Sequence, residues 1–248
     1  MMSDQKLGSN ISFRLPASDL LETVGKFIEQ VTTRPTLVVK GSDIICKAQN
    51  EDGTIILDLQ LPGFVHGLEQ WQEVRLTFDV KKLLRFLEGF KNYEVQVTHY
   101  DKRVRFELSN QLDEARVSLD LPVFEPNEEP QLEVGILTEM RTKVKHLHEA
   151  LFSLGVWSED GKFLIDLMPA LGGIFVKTTD FKKIVTVPAE PISGVDIGGV
   201  FDLKKVMSLL RRRLSDKVVI GLSLTGWMVI KYDLGWCRAI YYVKSVEE

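Results

Sequence analysis

The chain has few of the residues that carry metal or redox chemistry. Its 248 residues include only two cysteines and four histidines. Cys46 and Cys237 cannot form a disulfide framework and have no Cys-x-x-Cys spacing, so a reducing compartment is the simpler interpretation. His146 and His148 would point about 200° apart on a helix and could not share one ion. The sequence therefore predicts no metal site and no cofactor.

Long apolar runs and an excess of positive charge are also missing. No run approaches the ~18–20 apolar residues of a membrane helix, and the N-terminus lacks a basic start followed by an apolar stretch. We therefore expect an intracellular protein, in the cytoplasm, nucleoid or nucleus, that is not secreted. The net charge of -4 argues against a protein that coats nucleic acid with its whole surface. A net negative charge does not exclude a basic patch on the surface of an otherwise acidic protein.

The usual signatures of catalysis are absent as well. The sequence has no glycine-rich dinucleotide loop, no P-loop and no nucleophile elbow, and its carboxylates are scattered through turns and helix caps. We predict no catalytic residue and a protein that is not an enzyme. An α+β enzyme for an anionic substrate remains the less favoured alternative.

A proline-rich acidic segment divides the chain near its midpoint. Residues 122–130 contain three prolines and three glutamates, a composition typical of an extended connector that cannot join a sheet. We predict two domains, 1–121 and 132–248, joined by a connector at 122–131. Periodicity and turn residues predict many strands and two helices in each domain, which is an α+β class. The predicted helices are 18–32, 80–92, 138–154 and 203–214.

A short sequence repeat links the two halves. Phe78–Leu83 (FDVKKL) recurs as Phe201–Val206 (FDLKKV), and the same order of predicted elements follows each copy. An internal duplication is the favoured interpretation. The alternative is that both copies are merely well-capped helix starts.

Positive charge is concentrated on three of the four predicted helices, and the first helix is acidic. In the second and fourth helices, apolar residues occupy one side and basic residues the other. Concentrated positive charge suits a polyanion, of which nucleic acid is the commonest. Since no base-reading motif accompanies it, we expect contact with phosphates and no sequence preference.

Four further segments have a distinctive order and spacing: Trp227–Tyr232 with Ala239–Val243 at the C-terminus, Gly41–Leu59, Asp160–Gly161 and Leu171–Ile174. Together with the repeat, the connector and the basic helices, they resemble the PCNA-type DNA sliding clamp. The resemblance implies a divergent DNA clamp fold of two similar domains. Its antiparallel sheets would lie outside, and two helices per domain would line a central hole. It also implies a ring, usually a trimer, that encircles double-stranded DNA as a processivity factor. Such a ring tethers DNA polymerase, the clamp loader and other replication and repair proteins.

The resemblance also assigns roles to individual residues. The DNA-facing residues would be Lys81, Lys82, Arg85, Arg141, Lys145, Lys204, Lys205, Arg211 and Arg212. A pocket for partner peptides would be formed by Ile56, Leu121, Val123, Trp227, Tyr242 and Val243. Subunits would join through strand 115–121 of one chain and strand 173–178 of the next. Because the first helix is acidic and residues 155–200 match poorly, a checkpoint-type or heterotrimeric clamp subunit that acts as a scaffold is the alternative.

Overall fold

A computed structural model describes residues 11–15, 17–110, 115–210 and 215–246. The strands of the first half are β1 Ile11–Leu15, β2 Thr36–Lys40, β3 Asp43–Gln49, β4 Ile55–Leu61, β5 Glu73–Thr77, β6 Glu94–Tyr100, β7 Arg103–Asn110 and β8 Ala115–Pro122. Its helices are α1 Ser18–Glu29 and α2 Val80–Leu87.

The second half repeats this order with one additional strand. Its strands are β9 Ile136–Lys143, β10 Lys162–Met168, β11 Gly173–Lys177, β12 Ile184–Pro188, β13 Glu190–Ser193, β14 Ile197–Asp202, β15 Lys217–Ser223, β16 Trp227–Asp233 and β17 Arg238–Lys244. Its helices are α3 Val144–Gly155 and α4 Leu203–Leu209, with a 3-10 turn at Pro169–Leu171. No helix within the described ranges is long and apolar enough to cross a membrane.

The chain forms two compact units. Unit 1 comprises Met1–Ala48 and Leu59–Glu129, and unit 2 comprises Gln49–Asp58 and Pro130–Glu248. Unit 2 therefore takes a short segment from the first half of the sequence. The chain passes from unit 1 to unit 2 within the predicted connector, and the domain limits 1–121 and 132–248 stay a prediction.

Unit 1 packs α1 and α2 through their apolar sides. In its four-stranded antiparallel sheet the strand order is β1-β6-β7-β8, and β5, β2 and β3 are neighbours in that order in a second sheet. The strands alternate buried and exposed side chains, which is the pattern of a sheet with one face in the core. The buried helix residues are Leu21, Val24, Phe27, Ile28, Val80, Leu83 and Leu87.

Unit 2 has the same plan. One sheet contains β9-β15-β16-β17, extended by β13 beside β9 and by the start of β4 beside β17, and a second sheet has the order β12-β11-β10-β14. If β9–β17 are matched in order to their counterparts in the first half, β9-β15-β16-β17 corresponds to β1-β6-β7-β8. The predicted α+β fold of two similar halves is thus confirmed, since the strand order is repeated along with the short sequence repeat.

The third predicted helix begins later than expected. The predicted start is residue 138, but Thr138 lies in β9, and the helix starts at Val144. Thr138, Met140 and Thr142 are buried while Glu139, Arg141 and Lys143 are more exposed, so the local period is two and not 3.6. The prediction failed because threonine followed by charged residues suits a helix start and an amphipathic strand equally well.

Other predicted details are wrong as well, since α1 ends at Glu29 and α4 at Leu209, before the predicted 32 and 214. The second helix ends at Leu87, because Gly89 and Asn92 adopt positive φ values that do not continue a helix. Strand β11, predicted to offer a free edge for subunit contact, is hydrogen-bonded on both sides by β10 and β12. The edge strands of that sheet are β12 and β14, and β12 is the one beside β11.

Candidate nucleic-acid interface

The first turn of α2 displays an exposed basic face. The Asp79 side chain caps the helix by accepting the backbone N–H of Lys82 at 3.1 Å. Val80, Leu83 and Leu87 point into the core, so Lys81, Lys82 and Arg85 are left exposed to solvent. The predicted division into an apolar and a basic side is therefore present in α2.

Helix α1 brings acidic charge next to this basic face. A groove between the two helices is lined by Glu22, Lys26, Glu29, Lys81, Leu84, Arg85 and Glu88. Glu22 also forms an ion pair with Lys26. Gly25 allows the helices to approach closely, since a Cβ there would lie 2.8 Å from Leu84 Cδ2. The groove carries three acids and three bases, so Lys81 and Arg85 of the basic face have acidic neighbours on one side.

Helix α4 repeats the capping arrangement of α2. Asp202 accepts the backbone N–H of Lys205 at 2.8 Å. Lys204 is exposed, but Lys205 Nζ donates to Asp52 Oδ2 at 2.8 Å and to Thr54 Oγ1 at 2.7 Å. The bond from Lys205, followed by the bonds that the Thr54 hydroxyl and N–H donate to Asp52, holds the pKa of the Asp52 carboxyl well below its usual range. Lys205 is therefore engaged within unit 2, and the predicted Arg211 and Arg212 lie outside the described residues.

The third helix is less basic than the sequence predicted. Arg141 lies on the exposed face of β9, opposite Glu190 of β13, and not on a helix. Lys145 is the predicted DNA-facing residue that α3 retains, and it is exposed. Along the same side of the helix follow Glu149 and the exposed Phe152. The solvent side of α3 thus changes from charged to apolar along its length.

The predicted peptide-pocket residues differ in burial. In unit 2, Ile56 and Val243 are buried, and Trp227 and Tyr242 are half-buried. Burial raises the pKa of the Tyr242 hydroxyl, and the nearby Asp58 adds to the effect. In unit 1, Leu121 is buried and Val123 is half-buried. A shared pocket for these six residues stays a prediction.

The start of the connector is fixed to unit 1 by bonds that the sequence did not predict. The Phe124 N–H donates to the Thr77 carbonyl at 2.8 Å, and the Asn127 N–H donates to Thr36 Oγ1 at 2.8 Å. Asn127 Nδ2 donates to the Arg34 carbonyl at 2.6 Å, and the Arg34 guanidinium lies 4.4 Å from the centre of the Phe124 ring. No local pattern could reveal these contacts, because the partners are about 50 to 90 positions apart in sequence.

No protein-family model and no curated protein matches the sequence. Comparison with solved structures shows that the chain has the PCNA clamp fold. One such structure is Proliferating Cellular Nuclear Antigen from Entamoeba histolytica, with a TM-score of 0.82 and 12% identity over 95% of this chain and 98% of that chain. Another is the PCNA2-PCNA3 complex from Sulfolobus tokodaii, with a TM-score of 0.76 and 13% identity over 96% of this chain and 100% of that chain.

Proposed function

We propose that the protein is a DNA sliding clamp, a ring subunit that encircles duplex DNA and tethers DNA polymerase and other replication and repair proteins. The observation that carries this proposal is the clamp fold over 95% of the chain, combined with exposed lysines and arginine on its helices. The proposed role is that of an intracellular scaffold and not of an enzyme. The connector at 122–131 would join the two domains.

The repeat itself suggests how a ring would close. In unit 2, β17 has the start of β4 as its neighbour. The equivalent strands in the other sheets are β8, the counterpart of β17, and β12, the counterpart of β4. Both are terminal strands of their sheets. Unpaired strand edges invite pairing, so β8 of one chain would join β12 of the next, and this head-to-tail contact closes into a ring.

Contact with DNA would be weak and independent of sequence. Lys81, Lys82, Arg85 and Lys204 are exposed and suited to phosphate contacts. A closed ring is retained by its topology, so few contacts suffice, and these contacts would loosen with salt.

The ring proposal is tested by comparing retention on circular and linear DNA. The full chain, loaded on nicked circular DNA, is separated from free protein by gel filtration before and after the circle is cut once. We expect the protein to stay on the circle and to leave after linearisation. Equal retention on both forms would show that the protein does not encircle DNA.

The clamp fold is also the basis on which we propose the pocket for partner peptides. Trp227 and Tyr242 are half-buried aromatic residues of unit 2 that a partner peptide could cover further. We expect Trp227→Ala to weaken polymerase stimulation without removing the protein from circular DNA. Unchanged stimulation would place the polymerase contact elsewhere.

A further inference from the structure

Lys82 and Lys205 occupy equivalent positions of the repeat, but their side chains have different surroundings. Each donates its backbone N–H to the aspartate that caps its helix, Asp79 or Asp202. The Lys82 side chain is exposed and forms no ion pair with any residue that the structure describes. The Lys205 ammonium is bonded to Asp52 and Thr54, and its side chain is only 33% exposed. The start of α2 therefore has two lysines available to a phosphate, Lys81 and Lys82, whereas the equivalent start of α4 has one, Lys204.

The turn that carries Asp52 is organised by its own bonds. The Gly53 N–H donates to the Asn50 carbonyl at 3.1 Å, and Gly53 has a φ of +66°, which glycine adopts without strain. The Ile55 N–H donates to Asn50 Oδ1 at 2.8 Å, and the Thr54 N–H donates to Asp52 Oδ1 at 3.1 Å. Asp52 Oδ2 is left to accept from Lys205. The carboxylate is thus positioned before any contact with DNA is made.

This arrangement limits what Lys205 can add to DNA binding. A phosphate that binds Lys205 must first displace a carboxylate at 2.8 Å and a hydroxyl at 2.7 Å. One charge-assisted bond is then exchanged for another, and the net gain is small. Lys204, one position earlier, is exposed and makes no such bonds to any residue that the structure describes.

We propose that Asp52 acts as an internal substitute for a DNA phosphate. Asp52 keeps Lys205 from contacting DNA and so lowers the affinity of unit 2 for duplex DNA. Thr54 is the second acceptor of the same lysine. This inference rests on the proposed function, because it concerns the strength of the contact that a sliding clamp makes. Asp52 is a positioning residue, since it acts through Lys205 and touches no DNA itself.

The test uses the full chain and a short blunt DNA duplex, with binding followed by fluorescence anisotropy across a series of KCl concentrations. Each phosphate contact contributes about 0.9 to the slope of log K against log salt. We expect Asp52→Asn to tighten binding at low salt and to steepen the slope by about 0.9, because Lys205 becomes available. Asparagine retains an oxygen that can accept the Thr54 N–H, so the turn should be preserved.

Two variants separate this effect from a general loss of negative charge. Glu51→Gln removes an exposed acid from the same turn without touching Lys205, and we expect a clearly smaller change. Lys205→Gln alone should leave binding nearly unchanged, and it should cancel the gain when combined with Asp52→Asn. The proposal is overturned if Glu51→Gln matches Asp52→Asn, or if the gain persists in the double variant.

The same titration also tests the proposed function separately. Lys82→Gln and Lys204→Gln should each make the slope shallower by about 0.9. If neither does, the DNA contact of the helices is refuted. If both do and Asp52→Asn leaves the slope unchanged, only the role of Asp52 fails.

Discussion

Tyr232 connects a strand of unit 2 to the end of α4. Its side chain is fully buried, and its hydroxyl donates to the Leu209 carbonyl at 2.9 Å. We expect Tyr232→Phe to lower the free energy of unfolding by about 1–3 kcal/mol, because a buried carbonyl loses its donor. Urea denaturation measures the change. Tyr242→Phe is the matched control on β17, and its half-exposed ring should give a change within about 0.5 kcal/mol. Equal effects would mean that the Leu209 bond contributes nothing specific.

Cys237 offers a pH-dependent readout of burial. Burial, with a further contribution from Asp233, raises the pKa of the Cys237 thiol to about 12. The raised pKa gives stability that is fully present below the ordinary thiol pKa of about 8.5 and is lost as the pH rises through about 12. We expect the free energy of unfolding to fall less steeply between pH 9 and 11 in Cys237→Ala than in the natural chain. Parallel pH profiles would contradict this. Alkylation of the native thiol at pH 8 should also be far slower than in urea.

At the scale of elements, the attachment of the connector to unit 1 can be tested directly. The Asn127 side chain joins it to unit 1 by donating to the Arg34 carbonyl, whereas the bond to Thr36 comes from the Asn127 backbone N–H and is kept in an alanine variant. We expect Asn127→Ala to speed cleavage by a glutamate-specific protease at Glu125, Glu128 and Glu129 severalfold, because local opening becomes easier. Gel electrophoresis over time measures the rate. Gln131→Ala, an exposed neighbour, should cleave like the natural chain, and equal rates for both variants would reject the attachment.

The sequence predicted elements well where a single period dominated. Strand β1, ISFRL, is an example, since apolar and polar residues alternate along its whole length and its buried side chains follow the same period of two. The start of α3 was missed because residues 138–143 fit two periods. The pairing of Lys205 with Asp52 was also missed, since it spans 153 positions and depends on tertiary structure. The sequence thus identifies the basic residues of the candidate site, but it does not show which of them are available to contact DNA.

At the scale of the whole molecule, assembly should depend on the β12 edge. Ile184 lies at the start of β12, and its side chain is 53% exposed. We expect a mass in solution near three times 28.2 kDa for the natural chain and close to 28.2 kDa for Ile184→Lys, because a charge would be buried at the edge contact. Light scattering after gel filtration measures both.

Leu224→Lys is the control for that comparison. Leu224 is 78% exposed and lies between β15 and β16, which belong to a different sheet from β12, so this variant should keep the natural mass. Equal masses for the two variants would remove β12 from the assembly contact. A natural chain that stays a single subunit would favour the heteromeric alternative.

The segment Gln49–Asp58 has a consequence for any attempt to divide the protein. It belongs to unit 2 although it precedes most of unit 1 in the chain. A C-terminal fragment that begins after the connector lacks these ten residues, and with them the Asp52 carboxylate that Lys205 binds. The N-terminal fragment retains them without their native surroundings. The two gene halves should therefore behave as complementing fragments, soluble and folded when produced together and defective when produced apart.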